Sequence, residues 1–323
     1  MLIAVLLNLL HDEAQWLNPD VMIASPTGLL ITVSLAVTLW VVASTSVIRQ
    51  FRWPVVFYPN LAFSTGLAYL FWVRSQGQDL ALWLLRSLLY SRAQQLLVIF
   101  WLVCVVASLM FTVKVAGLQH VSTRHRKFYH VVIVLIYCSG LAGDPVFSVM
   151  ASSLVTCCFV LVELIRVFRI PPFGEPVSDL LVKLIDEKDS GFLILTHIYL
   201  MVGCFLPLWL DPVSHNKAIG LRHLAGVVSV GLGDTAASVG GSLVGRHKWK
   251  GTSKTVEGTV ISFVAQLTAV LVIYACISSN SWTGLTFLQL FLCSLLSALL
   301  EAFTVHVDNL VLPIFMFFIT AKM

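Results

Sequence analysis

Residues 94–113 read QQLLVIFWLVCVVASLMFTV, twenty positions without a charged side chain. At about 1.5 Å of rise per residue, a helix of this length crosses the roughly 30 Å hydrocarbon core of a bilayer. Its backbone polar groups are then paired within the helix, as a spanning segment requires. Runs of the same kind recur on both sides, at 29–48, 53–73, 131–143, 145–165, 192–210, 219–244, 259–278, 284–303 and 309–321. The runs 131–143 and 309–321 are short, and Pro171, Pro172, Pro207 and Pro212 break their neighbourhoods, so some spans are expected as half-helices. The fold this implies is all-α: a polytopic membrane helix bundle of about nine or ten transmembrane spans. Met1 to Leu10 is apolar but too short to cross, and it lacks the basic start and cleavage site of a signal peptide. It is expected to be an interfacial stub or the tail of a truncated span.

The whole chain agrees with this run. Of 323 residues, 58% are hydrophobic and 11% charged, against about 25% charged in a soluble domain, which excludes soluble, nucleic-acid-binding and disordered classes. The net charge of +4 is too modest to argue for an anionic partner. Arg49 and Arg52, then Lys114, Arg124, Arg126 and Lys127, then Arg166 and Arg169, then Arg246, Lys248, Lys250 and Lys254 form four basic loops separated by even numbers of spans. All four can face the cytoplasm. Arg74, Arg86 and Arg92, on a loop read at 74–92, run against that orientation. The seven cysteines lie in apolar runs without metal-ligand spacing, so they read as small buried hydrophobes rather than a disulfide framework or zinc site.

Acidic residues divide the chain. Only four of sixteen precede Lys114, all in loops, so residues 1–113 read as scaffold helices. Among the rest, Glu163, Asp234, Glu301 and Asp308 sit within or at the edges of apolar runs. A carboxylate at mid-span costs about 2.5–3.5 kcal/mol on insertion scales and therefore has a partner or a purpose. Asp234 stands in the richest context, Gly231-Leu232-Gly233-Asp234-Thr235-Ala236-Ala237-Ser238-Val239-Gly240-Gly241-Ser242-Leu243-Val244-Gly245, followed by the basic, glycine- and threonine-bearing stretch from Arg246 to Gly258. The small residues alone can be a helix-packing face. The basic loop goes beyond that: glycine N–H groups, hydroxyls and several cations in one segment are what a polyphosphate requires. Asp234 then supplies a hard oxygen for a magnesium ion. The spacing is not that of a Walker A loop.

From Gly233-Asp234-Thr235-Ala236-Ala237-Ser238 through Gly241, Gly245, Trp249, Gly251-Thr252, Lys254-Thr255 and Glu257-Gly258, the chain resembles the dolichol kinases, CTP-dependent polyprenol kinases of the endoplasmic reticulum membrane. Further matches are Arg126-Lys127-Phe128-Tyr129-His130, Glu163 with Pro171-Pro172-Phe173-Gly174, Asp186 to Gly191, Thr196 to Leu200, Glu301 to Thr304, and Asp308-Asn309-Leu310 with Pro313. Together they cover about 114–316, so the catalytic membrane domain is expected at 114–323, with early family spans missing from the N-terminal side. The family's CTP-binding segment maps onto Ser242 to Glu257, including Gly245 and Ser253. Where the family pattern has two adjacent lysines, Ser253-Lys254 stands here, so that one phosphate cation is either lost or replaced by Lys250 or Lys248.

The resemblance implies transfer of the terminal phosphate of CTP to the hydroxyl of dolichol, a lipid substrate, giving dolichyl phosphate for protein glycosylation. Phosphoryl transfer needs positioning and charge neutralisation more than covalent chemistry. Asp234 is accordingly expected on Mg2+, and Lys254 with Lys248 and Lys250 on the phosphates. Thr252, Thr255 and the Gly251 backbone are expected as the cradle. Glu257 is expected on a second metal or on the cytosine amino group, and Asp308 or Glu301 as the base or another metal ligand. Lys127 and His130 share a helix face suited to an anion, with Arg126 beside them. His197, His215, His223 and His247 are expected to be structural, while His306 stays open. Other classes also fit parts of the pattern: a cytidylyltransferase like the CDP-diacylglycerol synthases, a truncated non-catalytic scaffold, or a transporter, which would show an internal repeat that this chain lacks.

Overall fold

The computed structural model describes residues 54–76, 79–116, 123–182, 193–211, 219–277, 283–304 and 307–321, with Val37, Trp40, Ala43 and Val213 as single positions. The elements run α1 (Pro54–Gln76), α2 (Leu80–Tyr90), α3 (Arg92–Ala116), α4 (Thr123–Gly143), α5 (Pro145–Val167), α6 (Gly174–Val182) and α7 (Thr196–Leu210). A 3-10 turn (Leu221–Leu224) and a π-helical stretch (Val227–Asp234) then lead into α8 (Thr235–Val244), α9 (Val256–Ile277), α10 (Gly284–Phe303) and α11 (Asp308–Thr320). No strand forms among the described residues.

Among the described residues, five segments are long and apolar enough to cross a membrane: Arg92–Val115, Pro145–Val167, Leu221–Val244, Val256–Ile277 and Gly284–Phe303. Lys127–Gly143, Thr196–Leu210 and Asp308–Thr320 are shorter apolar helices, as expected of half-spans. The protein is a polytopic membrane helix bundle. The expected run at 29–48 lies almost wholly outside the described residues, as do His215, His306 and the stretch 186–191. The loop expected at 74–92 instead carries α2, whose sequence LALWLLRSLLY is apolar and whose start is capped by Asp79, Oδ1 accepting from Leu82 N at 3.0 Å.

Local chemistry sets the helix ends. Asp144 breaks α4 from α5: its backbone is extended (φ −153°), Oδ1 accepts from Phe147 N at 2.9 Å, and Pro145 takes the first helical position. Gln94 Nε2 donates to the other carboxylate oxygen at 2.7 Å. Thr283 caps α10 in the same way, accepting from Thr286 N at 3.1 Å.

The chain forms two compact units, residues 1–119 with 140–198, and residues 120–139 with 199–323. In the first, Phe57, Leu164 and Ile170 form a buried core. The outer face of α3 is apolar, with Leu96, Ile99, Leu102, Val103, Val106 and Met110 exposed, as suits contact with lipid. Glu163 is buried and satisfied: Arg166 grips it with two hydrogen bonds of 2.8 and 2.7 Å, and Ile194 N donates to it at 2.6 Å. The second unit packs Leu221, Ala225, Val228, Val270, Leu290, Cys293, Met316 and Phe317 into one core. All seven cysteines are free.

Candidate functional site

Within the second unit, the polar residues gather at one place. Asp234 ends the π-helical stretch, and the glycines before it permit close approach. A Cβ at Gly231 would collide with Val134 of α4, and one at Gly233 would lie 2.6 Å from Gln266 Cδ of α9. The segment is therefore pressed between α4 and α9, and Ser262 Oγ donates to Gly233 O at 2.8 Å across that contact. A π turn offsets its side chains relative to an α-helix, a feature often found at functional sites.

Asp234 is 6% exposed and does not stand alone. Lys127 Nζ donates to Asp234 Oδ2, and His130 Nε2 lies 3.2 Å from the same oxygen. On its other side that ring nitrogen faces Asn309 Oδ1 of α11 at 3.3 Å. A carboxylate and an amide oxygen on one nitrogen require that Nε2 carry the proton. A buried carboxylate needs such partners, since a buried charge left unpaired is costly.

A second buried pair adjoins the first through neighbouring residues of α11. Lys254 Nζ donates to Glu301 Oε1 at 2.6 Å and also to the Glu301 backbone carbonyl. Asp308 Oδ2 is 3.6 Å from the same ammonium, and Asp308 Oδ1 accepts from Asn309 N at 3.0 Å. Asp234, Lys127, His130, Asn309, Asp308, Lys254 and Glu301 thus form a continuous chain drawn from α4, the π stretch, the 245–255 loop, α10 and α11. Among the described residues no three His, Cys, Asp or Glu side chains converge on one point.

The loop before α9 is a tight, nearly hairpin turn. Lys248 and Thr255 form an antiparallel bridge, Val256 N donates to His247 O at 2.8 Å, and Trp249 N to Lys254 O at 3.0 Å. Gly251 sits at φ +79°, a backbone that side-chain-bearing residues rarely adopt. Trp249 anchors the turn from below, Nε1 donating to Thr259 Oγ1 at 2.9 Å with its ring 5.2 Å from that of Phe303. Glu257 closes the turn, its carboxylate accepting from Arg246 N at 3.1 Å, His247 N at 3.2 Å and His247 Nδ1 at 2.6 Å.

The expected site residues therefore divide. Asp234, Lys254, Asp308, Glu301, Lys127 and His130 come together; Arg126 shares α4 with the last two, and its side chain lies outside the described set. Lys248, Lys250, Gly251 and Ser253 are exposed on the turn. Thr252 Oγ1 accepts from Lys254 N at 3.2 Å, Thr255 Oγ1 accepts from Gly258 N at 3.2 Å, and Ser242 Oγ donates to Val239 O at 2.8 Å, so these hydroxyls shape the turn and its flanks. Gly245 is a packing glycine, since a Cβ there would lie 2.7 Å from Thr255 Oγ1. The small-residue run is therefore a packing face, and the packing holds the basic turn in place. The residue that sequence reasoning left without a role is Asn309; it carries no charge, and only its place next to Asp308 pointed to it.

Comparison with known proteins gives concordant findings. The family model described as Dolichol kinase matches residues 20–276. The chain is 36% identical over 272 residues to the dolichol kinase of Mus musculus, covering 79% of this chain and 50% of that one. It is 31% identical over 267 residues to dolichol kinase EVAN of Arabidopsis thaliana, covering 80% and 47%. It is 31% identical over 264 residues to the dolichol kinase of Saccharomyces cerevisiae, covering 80% and 49%. The chain spans about half the length of the curated relatives it matches. No solved structure matches it.

Proposed function

The chain belongs to the dolichol kinase family, and from that premise we propose that it transfers the terminal phosphoryl group of CTP to the hydroxyl of dolichol, releasing CDP. The observation that carries this reading is the joining of two lysine–carboxylate pairs with buried carboxylates, Lys127–Asp234 and Lys254–Glu301, at the foot of an exposed basic turn. A lipid alcohol sits at the bilayer interface, where a membrane bundle can bring it to a nucleotide held from the aqueous side.

Asp234, Glu301, Asp308 and the Asn309 amide offer hard oxygen donors, the chemistry Mg2+ takes, and that ion usually uses only one or two protein carboxylates together with substrate phosphates. The donor set fits, with Asp234 as the first ligand. When bound, Mg2+ neutralises charge developing between the phosphates. Lys127 and Lys254 then lie within one site with the triphosphate, and Lys248 and Lys250 add cations from the turn, while Gly251, Ser253 and Thr255 supply backbone N–H groups. Glu257, matched to Arg246 and His247, serves by holding the turn closed. Asp308 is our choice to accept the dolichol proton: Glu301 is locked on Lys254 at 2.6 Å, whereas Asp308 stands 3.6 Å from it and is half-buried at the start of α11. Residues 1–113 are scaffold in this reading, and the site faces the cytoplasm from the endoplasmic reticulum membrane.

The test is incubation of the purified protein with dolichol and CTP labelled at the γ-phosphate. Label in the lipid supports the kinase; label leaving as pyrophosphate supports a cytidylyltransferase; neither outcome removes both. Asp234→Asn is expected to abolish lipid labelling while the protein stays folded, and substantial residual transfer would take Asp234 out of the metal role.

A further inference from the structure

Hydroxyls on the helices of this protein follow a habit. Ser64, Ser108, Thr112, Thr156, Ser229, Thr268, Ser294 and Thr320 each donate to the carbonyl four residues back, at 2.6–2.9 Å. In an apolar environment this is how a hydroxyl avoids being stranded.

Thr235, like Ser297 of α10, departs from the habit. Its Oγ1 is shut off from solvent and has no hydrogen-bond partner among the described residues. It is the first residue of α8, immediately after Asp234, where the π stretch gives way to α-helix. The same segment meets α4 twice, at Gly231 on Val134 and at Asp234 on Lys127 and His130, so Thr235 continues a stretch already pressed against the site. Leaving a buried hydroxyl unsatisfied carries a desolvation cost, and such a group calls for a reason. Valine has the same shape without that cost. Meanwhile the hydroxyls of Thr252, Thr255 and Ser242 are engaged with their own turn and helix.

We propose that Thr235 is a binding residue of the site, its hydroxyl reserved for the metal–triphosphate held at Asp234. Its oxygen is of the hard type that Mg2+ accepts, and its proton suits a phosphate oxygen. The inference deepens the kinase reading and rests on it. It assigns Thr235 a place beside Asp234 that no charge in the sequence marks.

The test compares wild type, Thr235→Val and Thr235→Ser in detergent, by thermal melting alone and by titration with CTP, with Mg2+ or with a chelator in its place. Without ligand, Thr235→Val is expected to melt at or above the wild-type temperature, because it removes an unsatisfied group. Its affinity for Mg2+–CTP is expected to fall about tenfold or more, the scale of one hydrogen bond to a charged group. Thr235→Ser is expected to bind nearly as wild type. A loss confined to the Mg2+ arm puts the hydroxyl on the metal, and a loss in both arms puts it on phosphate. Wild-type affinity in Thr235→Val, or a lower melting temperature without ligand, overturns the proposal. A wild-type protein that fails to bind CTP in either arm overturns the kinase reading itself, and Thr235 falls with it.

Discussion

Lys254 couples stability to chemistry at a single position. Its ammonium is the cation facing Glu301, a carboxylate only 3% exposed, and removing one partner of a buried pair costs about 3–5 kcal/mol because the other charge is stranded. Lys254→Met is therefore expected to lower the melting temperature sharply as well as to abolish phosphate transfer. Adding Glu301→Gln removes the stranded charge, so the double variant is expected to recover much of the lost stability but none of the activity. Recovery of transfer in the double variant would reduce Lys254 to a structural role; an unchanged melting temperature in the single variant would remove the buried pair from the fold's energetics. At this scale the sequence was legible where residues carry charge. Asp234, Glu301 and Asp308 stand out because a charge in or beside an apolar run demands an explanation, and Lys254 because it lies in the basic glycine- and threonine-bearing stretch. Asn309 and Thr235 are neutral, and nothing in their own chemistry distinguishes a site residue from a packing one. The 3.3 Å approach of Asn309 to His130 and the unpaired Thr235 hydroxyl are what bring them into the proposed site.

At the level of elements, the close crossing of α8 and α9 positions the basic turn. Gly240 faces Ile261, and a Cβ on Gly258 would lie 2.8 Å from the Ala237 carbonyl and 3.2 Å from Gly241 Cα. Backbone atoms cannot swing aside as a flexible side chain can. Gly258→Ala is expected to destabilise the protein by about 1–3 kcal/mol through overpacking. Because Gly258 lies in the first turn of α9, directly after the basic turn, the variant is also expected to raise KM for CTP. Gly284 at the start of α10 meets nothing within 4 Å, so Gly284→Ala serves as the control with an effect below about 1 kcal/mol. Equal melting temperatures and equal KM for the two variants would mean the crossing relaxes freely. Helix positions were legible because apolar runs and breakers such as Asp144-Pro145 act locally. The π stretch was not, since Gly231 and Gly233 take their geometry from Val134 and Gln266, which are distant in sequence. The helix α2 was missed because its 11 residues are too few to span, and span length was the criterion.

On the scale of the whole molecule, the 11% of residues that are charged do two jobs, mostly marking loops or helix ends in the first third of the chain and forming, in the remainder, clusters that include Lys127–Asp234 and Lys254–Glu301. Both jobs depend on which side of the membrane the basic turn occupies. The 22 residues of α9 rise about 33 Å, enough to cross, so residue 253 before it and residue 284 after it are expected on opposite faces. Arg246, Lys248, Lys250 and Lys254 before α9, against a neutral stretch at 279–283 after it, predict that residue 253 lies on the cytoplasmic side. In a variant stripped of its seven cysteines, Ser253→Cys in sealed endoplasmic-reticulum microsomes is expected to react with a membrane-impermeant maleimide. Gly284→Cys is expected to react only after the vesicles are permeabilised. The reverse pattern would invert the protein and place the nucleotide site away from cytosolic CTP, while labelling of both without permeabilisation would mean that α9 does not cross. The same preparation separates orientation from chemistry, because phosphate transfer to dolichol in sealed vesicles with external CTP requires the site and residue 253 to share the outer face.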